Sequence, residues 1–160
     1  MAKLPWVSGL IVIAALAQRP APEQPLPFSH KHHASTLGLA CAKCHPVADP
    51  GEFAGLPPTA TCMECHKAIK TDSPHIQKLT AFHKDGADVP WKRVYRIPDY
   101  VFFSHKEHLS RAKANCETCH GPVKESAALR REKEVSMGAC MDCHRANQAS
   151  IACNFCHEQR

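Results

Sequence analysis

Phe103-Ser104-His105-Lys106-Glu107-His108, followed eight residues later by Cys116-Glu117-Thr118-Cys119-His120, is the stretch on which the reading of this chain turns. It joins two histidines three residues apart to a Cys-x-x-Cys-His unit. That unit recurs at Cys41–His45, Cys62–His66, Cys140–His144 and Cys153–His157, so all ten cysteines fall into five pairs, each trailed by a histidine. Two thiols at this spacing can each form a thioether to a haem vinyl group, and the adjacent imidazole can bind the iron from one side. Disulfides would explain an even cysteine count but not the histidine after every pair. Structural zinc draws four ligands from two Cys-x-x-Cys units and would leave one of five units over. The sequence therefore predicts five covalent haem c groups. They are held by Cys41 and Cys44, Cys62 and Cys65, Cys116 and Cys119, Cys140 and Cys143, and Cys153 and Cys156, with His45, His66, His120, His144 and His157 as proximal ligands.

Composition points to a fold that such groups organise. The chain has 160 residues, which ordinarily means one domain, yet it holds only 10 aromatic residues and as many as 13 prolines. A mean hydropathy of −0.33 adds to the picture of a thin apolar core. Five large apolar porphyrins would make up for it, as metals and disulfides do in other small folds. The expected fold is mostly coil with short α-helices, wrapped around five covalent haems in two repeated modules. A formal charge of +5 would ordinarily suggest nucleic acid or an anionic membrane. Loss of Lys3 with the leader lowers it to +4, and about ten haem propionates would bring the holoprotein close to neutral or acidic. Lysines and arginines are then propionate partners or solvated surface, and no nucleic-acid partner is expected.

In chain order, Met1-Ala2-Lys3 and the apolar run from Leu4 to Ala17 read as an export signal ending in Ala15-Leu16-Ala17. The run falls short of the roughly 20 residues of a membrane span. Residues 1–17 are thus expected to be a signal peptide, and a periplasmic or extracytoplasmic location follows. Residues 18–27, with Pro20, Pro22, Pro25 and Pro27, form an extended linker. Phe28-Ser29-His30-Lys31-His32-His33 and then Cys41-Ala42-Lys43-Cys44-His45 repeat the opening stretch 75 residues earlier. Cys62-Met63-Glu64-Cys65-His66 anticipates Cys140-Met141-Asp142-Cys143-His144 at an offset of 78. A two-haem module over 28–68, a connecting segment over 69–102 and a three-haem module over 103–160 result. Half of the aromatic residues lie between Trp91 and Phe103, where haem packing is the expected role. The composition of Glu125 to Val135 predicts a short exposed helix.

Of 12 histidines, five are proximal, leaving His30, His32, His33, His75, His83, His105 and His108. Histidines at i and i+3 lie on one side of a helical turn and can serve haems on either side of it. His30 and His33 recur in register as His105 and His108, whereas Glu107 takes the place of His32, which is expected at the surface. Four distal ligands result, and one haem is left over.

These motifs resemble the class III multihaem c-type cytochromes, three- and four-haem proteins of bacterial periplasms, over nearly all of residues 28–157. The resemblance implies that His30 serves the haem of Cys41 and Cys44, and His33 that of Cys62 and Cys65. It implies likewise that His105 serves Cys116 and Cys119, and His108 serves Cys140 and Cys143. Three-haem members take the ligand of their last haem from a histidine just before the middle attachment site, but residues 121–139 contain none, and only Met137 there can ligate. The haem at Cys153 thus has Met137, His83 or His75 as candidates, His83 being favoured among the histidines because Ser73-Pro74 starts a helix with His75 facing solvent. A narrower likeness, carried by the two modules, the Trp91–Tyr100 segment and Met137-Gly138-Ala139-Cys140, is to the pentahaem electron-transfer subunit of the quinol-oxidising alternative complex III.

The function expected is electron transfer by haem-to-haem hopping in a respiratory chain, through mostly low-potential bis-His haems. Redox proteins or a membrane quinol-oxidising complex would be the partners, with membrane association through a partner. Two alternatives stand beside it: a multihaem reductase with an open iron at Cys153–His157, and a subunit of an extracellular haem filament.

Overall fold

The computed structural model describes residues 20–157, so the expected export signal lies outside the described residues. Coil predominates, and no strand occurs among the described residues. The helices are α1 (Cys41–Cys44), α2 (Thr59–His66), α3 (Pro74–Lys84), α4 (His105–Ser110), α5 (Cys116–His120), α6 (Met137–Ala146) and α7 (Cys153–His157), with a π-helical turn at Lys31–Thr36 and a 3-10 turn at Val123–Glu125. The longest runs to 11 residues. No helix among the described residues is long and apolar enough to cross a membrane.

Local chemistry sets the helix starts. Ser104, Asn115 and Ser136 cap α4, α5 and α6, each side chain accepting a backbone N–H three residues on. Pro74 opens α3 behind Ser73, where a missing N–H costs nothing. Four of the Cys-x-x-Cys-His units end their own helix on or just before the histidine, and α6 runs only two residues past His144. One turn is enough to bring two cysteines three apart onto one side and set the histidine beside them.

Hydrophobic burial is sparse. Leu26, Met63, Leu79 and Val89 form the buried apolar cluster, with Cys62, Ile76, Phe82 and Trp91 packed against it. It joins α2 to α3 and pins the linker residue Leu26 to both. Thr59, 2% exposed, staples the cluster to the following loop: its hydroxyl donates to the Ala87 carbonyl and accepts from Val89 N–H, while Asp88 Oδ1 accepts from Thr59 N–H.

Elsewhere the chain is held by polar contacts between distant segments. Backbone N–H of Lys106, in α4, donates to the Gly51 carbonyl at 3.0 Å, and its ammonium reaches Asp49 at 2.6 Å. The equivalent residue of the first half, Lys31, donates its N–H to the Ser126 carbonyl at 2.9 Å, and Ser35 donates to Glu125. Each His-x-x-His turn is thus gripped by the loop that follows the first attachment unit of the other half.

The helix expected over Glu125–Val135 is absent. Only Val123–Glu125 makes a 3-10 turn, and residues 126–135 run as coil. Their peptide groups find partners far away: the Tyr95 hydroxyl accepts from both Glu132 N–H and Lys133 N–H, and the Lys133 ammonium donates to the Thr118 carbonyl. Arg131 lies over the Tyr95 ring at 5.6 Å. Tertiary capture of the backbone outweighs the helix propensity of alanine, leucine and glutamate, worth a few tenths of a kcal/mol per residue.

Candidate functional site

Four imidazole pairs define the site. His30 faces His45 with ring centroids 6.3 Å apart, and His33 faces His66 at 6.2 Å. In the second half His105 faces His120 at 6.4 Å and His108 faces His144 at 6.1 Å. Each pair joins one member of a His-x-x-His turn to the histidine of a Cys-x-x-Cys-His unit. Two imidazole nitrogens at about 2 Å on opposite sides of one metal atom put their ring centroids roughly 6 Å apart. The spacing would suit two imidazoles holding one iron between them, four times over.

Ring orientation agrees with the spacing. Backbone carbonyls lie 2.6–3.4 Å from Nδ1 of His33, His45, His66, His105, His108, His144 and His157. A carbonyl can only accept, so the proton sits on Nδ1 and the Nε2 lone pair is free for a metal. Phenylalanine fixes the distal rings in both halves. Phe28 stands edge-on to His30 at 4.9 Å and stacks on His33 at 4.5 Å; Phe103 repeats this with His105 at 4.8 Å and His108 at 4.4 Å. Burial, and then the neighbouring His45 and His33, push the His30 pKa down to about 4. Burial followed by His105 and His45 lowers that of His120. Both shifts favour the neutral imidazole, the form in which histidine binds a metal.

The thiols stand beside these pairs, all ten unbridged. Burial pushes the Cys44, Cys62, Cys116, Cys119 and Cys140 thiols up. Apolar side chains at the attachment units face outward: Ile69, whose N–H donates to the Cys65 carbonyl, is 54% exposed, and Phe155, inside the last unit, is 47% exposed. A chain that buries few hydrophobic side chains and turns others outward beside paired thiols fits large apolar groups as its missing core. Cysteine pairs, facing imidazoles and apolar surroundings all suit covalently attached haem.

The fifth unit differs. Nδ1 of His157 lies 3.4 Å from the Tyr100 carbonyl, and the ring it meets is that of Tyr100 at 5.9 Å. Phe102 N–H donates to the Cys156 carbonyl at 2.7 Å, tying α7 to the segment that leads into α4. Met137 is the first residue of α6 and is 69% exposed. His75 and His83 are exposed on α3, which packs against α2. His32 is exposed and sits edge-on to His33.

Sequence reasoning missed the residues that orient the rings, because they act through backbone carbonyls. The Glu52 carbonyl accepts from His105 at 2.7 Å and the Gly55 carbonyl from His45 at 2.7 Å. Gly51, at φ +92°, gave the one available signal: its absent Cβ lets the Lys106 side chain pass.

Comparison with known proteins matches this arrangement. Residues 11–90 match the class III cytochrome C family and residues 101–158 match cytochrome c7 and related cytochrome c. The menaquinone reductase multiheme cytochrome c subunit of Nitratidesulfovibrio vulgaris (strain Hildenborough) is 32% identical over 161 aligned residues, covering 96% of this chain. The chain spans 63% of that relative's length. With both His-x-x-His turns and all five Cys-x-x-Cys-His units inside the matched segments, the chain belongs to the class III cytochrome c family of multihaem electron-transfer proteins.

Proposed function

We propose that the chain is an extracytoplasmic pentahaem cytochrome that relays electrons between a quinone-linked membrane complex and a second redox partner. The observation that carries this reading is the set of four facing imidazole pairs at 6.1–6.4 Å, each including the histidine that follows a cysteine pair in the sequence. Cys41, Cys44, Cys62, Cys65, Cys116, Cys119, Cys140, Cys143, Cys153 and Cys156 hold haem c by thioether bonds. His45, His66, His120, His144 and His157 are proximal ligands, and His30, His33, His105 and His108 close the first four sites from the other side. Haem supplies one-electron chemistry; the protein's part is to fix ligand geometry, exclude water and set potentials.

Bis-imidazole ligation leaves no coordination position for substrate, so the four closed sites conduct without binding a reactant. Carbonyl acceptors on Nδ1 make the imidazoles better donors, which favours the oxidised metal and lowers the potential. The relative's role in menaquinone reductase supports a quinone-linked partner at this potential level. Attachment to the membrane then runs through that partner, and the leader read at residues 1–17 supports export.

A second reading attaches to the fifth site. The ring that meets His157 is the phenol of Tyr100, which supports an iron whose distal position is taken by Met137, by His83 or His75, by a residue of a partner, or by a small substrate, the last making this site a reductase centre. The mass of the exported protein tests the count. Five haem additions are expected on the residues that follow the leader, and four or fewer would overturn the pentahaem assignment.

A further inference from the structure

We infer that the five attachment sites form one unbranched row whose order is not the order of the chain. The row runs from Cys62/Cys65 to Cys41/Cys44, across to Cys116/Cys119, and on to Cys140/Cys143 and Cys153/Cys156. The two halves exchange electrons where the first site of one half faces the first site of the other. This rests on the haem-carrying role proposed above and adds the path through it.

Each His-x-x-His turn makes its two sites neighbours. His30 and His33 stand on one turn and face His45 and His66, so the first two sites are adjacent. An ion pair at 2.5 Å between Lys43, inside the first cysteine unit, and Glu64, inside the second, locks them together. His105 and His108 do the same for the third and fourth sites. The fifth follows the fourth, since the loop leading to α7 gives its Ser150 carbonyl to His144 Nδ1 at 2.6 Å.

The junction between halves comes from the reciprocal grip of the loops. The loop after the first site gives its Glu52 carbonyl to His105, a ligand-side histidine of the third site. The loop after the third site gives its Ser126 carbonyl to Lys31, next to His30 of the first. Such an exchange sets the first site of one half against the first site of the other: both loops that make it follow a first attachment unit and close on the His-x-x-His turn of the opposite half. With haem attached through the cysteines of these two sites, the exchange of loops would bring two haem edges together. The second and fifth sites are left at the ends. With haem bound at both sites, transfer across the junction would move one electron and no proton or bond, one iron being oxidised as the other is reduced.

The test is the iron anomalous map of crystals of the holoprotein. The shortest iron-to-iron distance across the halves is expected between the irons held by His45 and His120. A shorter approach between any other cross-half pair would overturn the row. In solution, a redox titration followed by NMR should find the strongest cross-half interaction between the same two haems, and a stronger one elsewhere would count against the order. The haem count from mass reads separately: a missing haem defeats the pentahaem assignment, whereas the contact between first sites is judged by the irons that are present.

Discussion

The stretches Phe28–His45 and Phe103–His120 present the same side chains to their sites and differ in how the chain around them is wound. Phenylalanine meets the two distal imidazoles at 4.9 and 4.5 Å in one and at 4.8 and 4.4 Å in the other. Ser29 and Ser104 carbonyls accept from His33 and His108 at 2.9 and 2.8 Å. Yet Lys31–Thr36 is a π-helical turn and His105–Ser110 an α-helix. His105 Nδ1 has the Glu52 carbonyl, while His30 Nδ1 is buried without a partner. The geometry that ligation demands is duplicated to within tenths of an ångström. What differs is the grip of one half on the other.

Breaking the shared part should have the largest effect. On the proposed ligation His33→Ala and His108→Ala would each open one iron, and each variant should bind one more carbon monoxide per reduced chain than the parent. The optical spectrum should show one low-spin haem lost in either half. A pair that responded in only one half would mean that the likeness of the two turns does not extend to ligation.

Substitutions in the grip should sharpen the contrast. Ala at Gly51 would be strained at φ +92° and would collide with the Lys106 side chain, whereas Gly38, at φ +69°, has open space around its missing Cβ. Gly38→Ala should cost about 1 kcal/mol and Gly51→Ala at least about twice that, as measured by denaturant unfolding of the holoprotein. Gly51→Ala should also displace the Glu52 carbonyl and alter the low-spin signal of the His105 site alone. Tyr95→Phe removes the hydroxyl that accepts from two backbone N–H groups and donates to the His120 carbonyl. A loss of about 1–3 kcal/mol is expected, with greater hydrogen exchange over residues 126–135.

The smallest effect belongs to the Lys106–Asp49 ion pair, both partners of which are well exposed. Hydrogen bonding to Lys106 holds the Asp49 carboxyl below its ordinary value. Its contribution is therefore present above the usual carboxylate pKa and lost as pH falls through the lowered one. Salt should weaken it as well. An unfolding midpoint for Asp49→Asn that matches the parent in high salt and falls slightly below it in low salt is the expected result.

Much of the candidate site was legible because its residues fall in local patterns. A histidine after every cysteine pair and two in-register His-x-x-His turns are short-range patterns, and the four facing pairs join the residues those patterns single out. The scarcity of apolar residues likewise foretold short helices in coil. The coil over residues 126–135 was not legible, because Tyr95 captures that backbone from some 37 residues away and helix propensity knows nothing of it. The exchange of carbonyls between halves was hidden for a similar reason. Glu52 and Ser126 act through main-chain oxygen, which every residue carries, so only Gly51 betrayed the close approach.

Carbon monoxide binding to the fully reduced holoprotein tests most directly the claim that four sites are closed by paired imidazoles. The facing pairs at His45, His66, His120 and His144 predict that no more than one carbon monoxide binds per chain, and that any binding belongs to the His157 site. Two or more per chain would contradict the account.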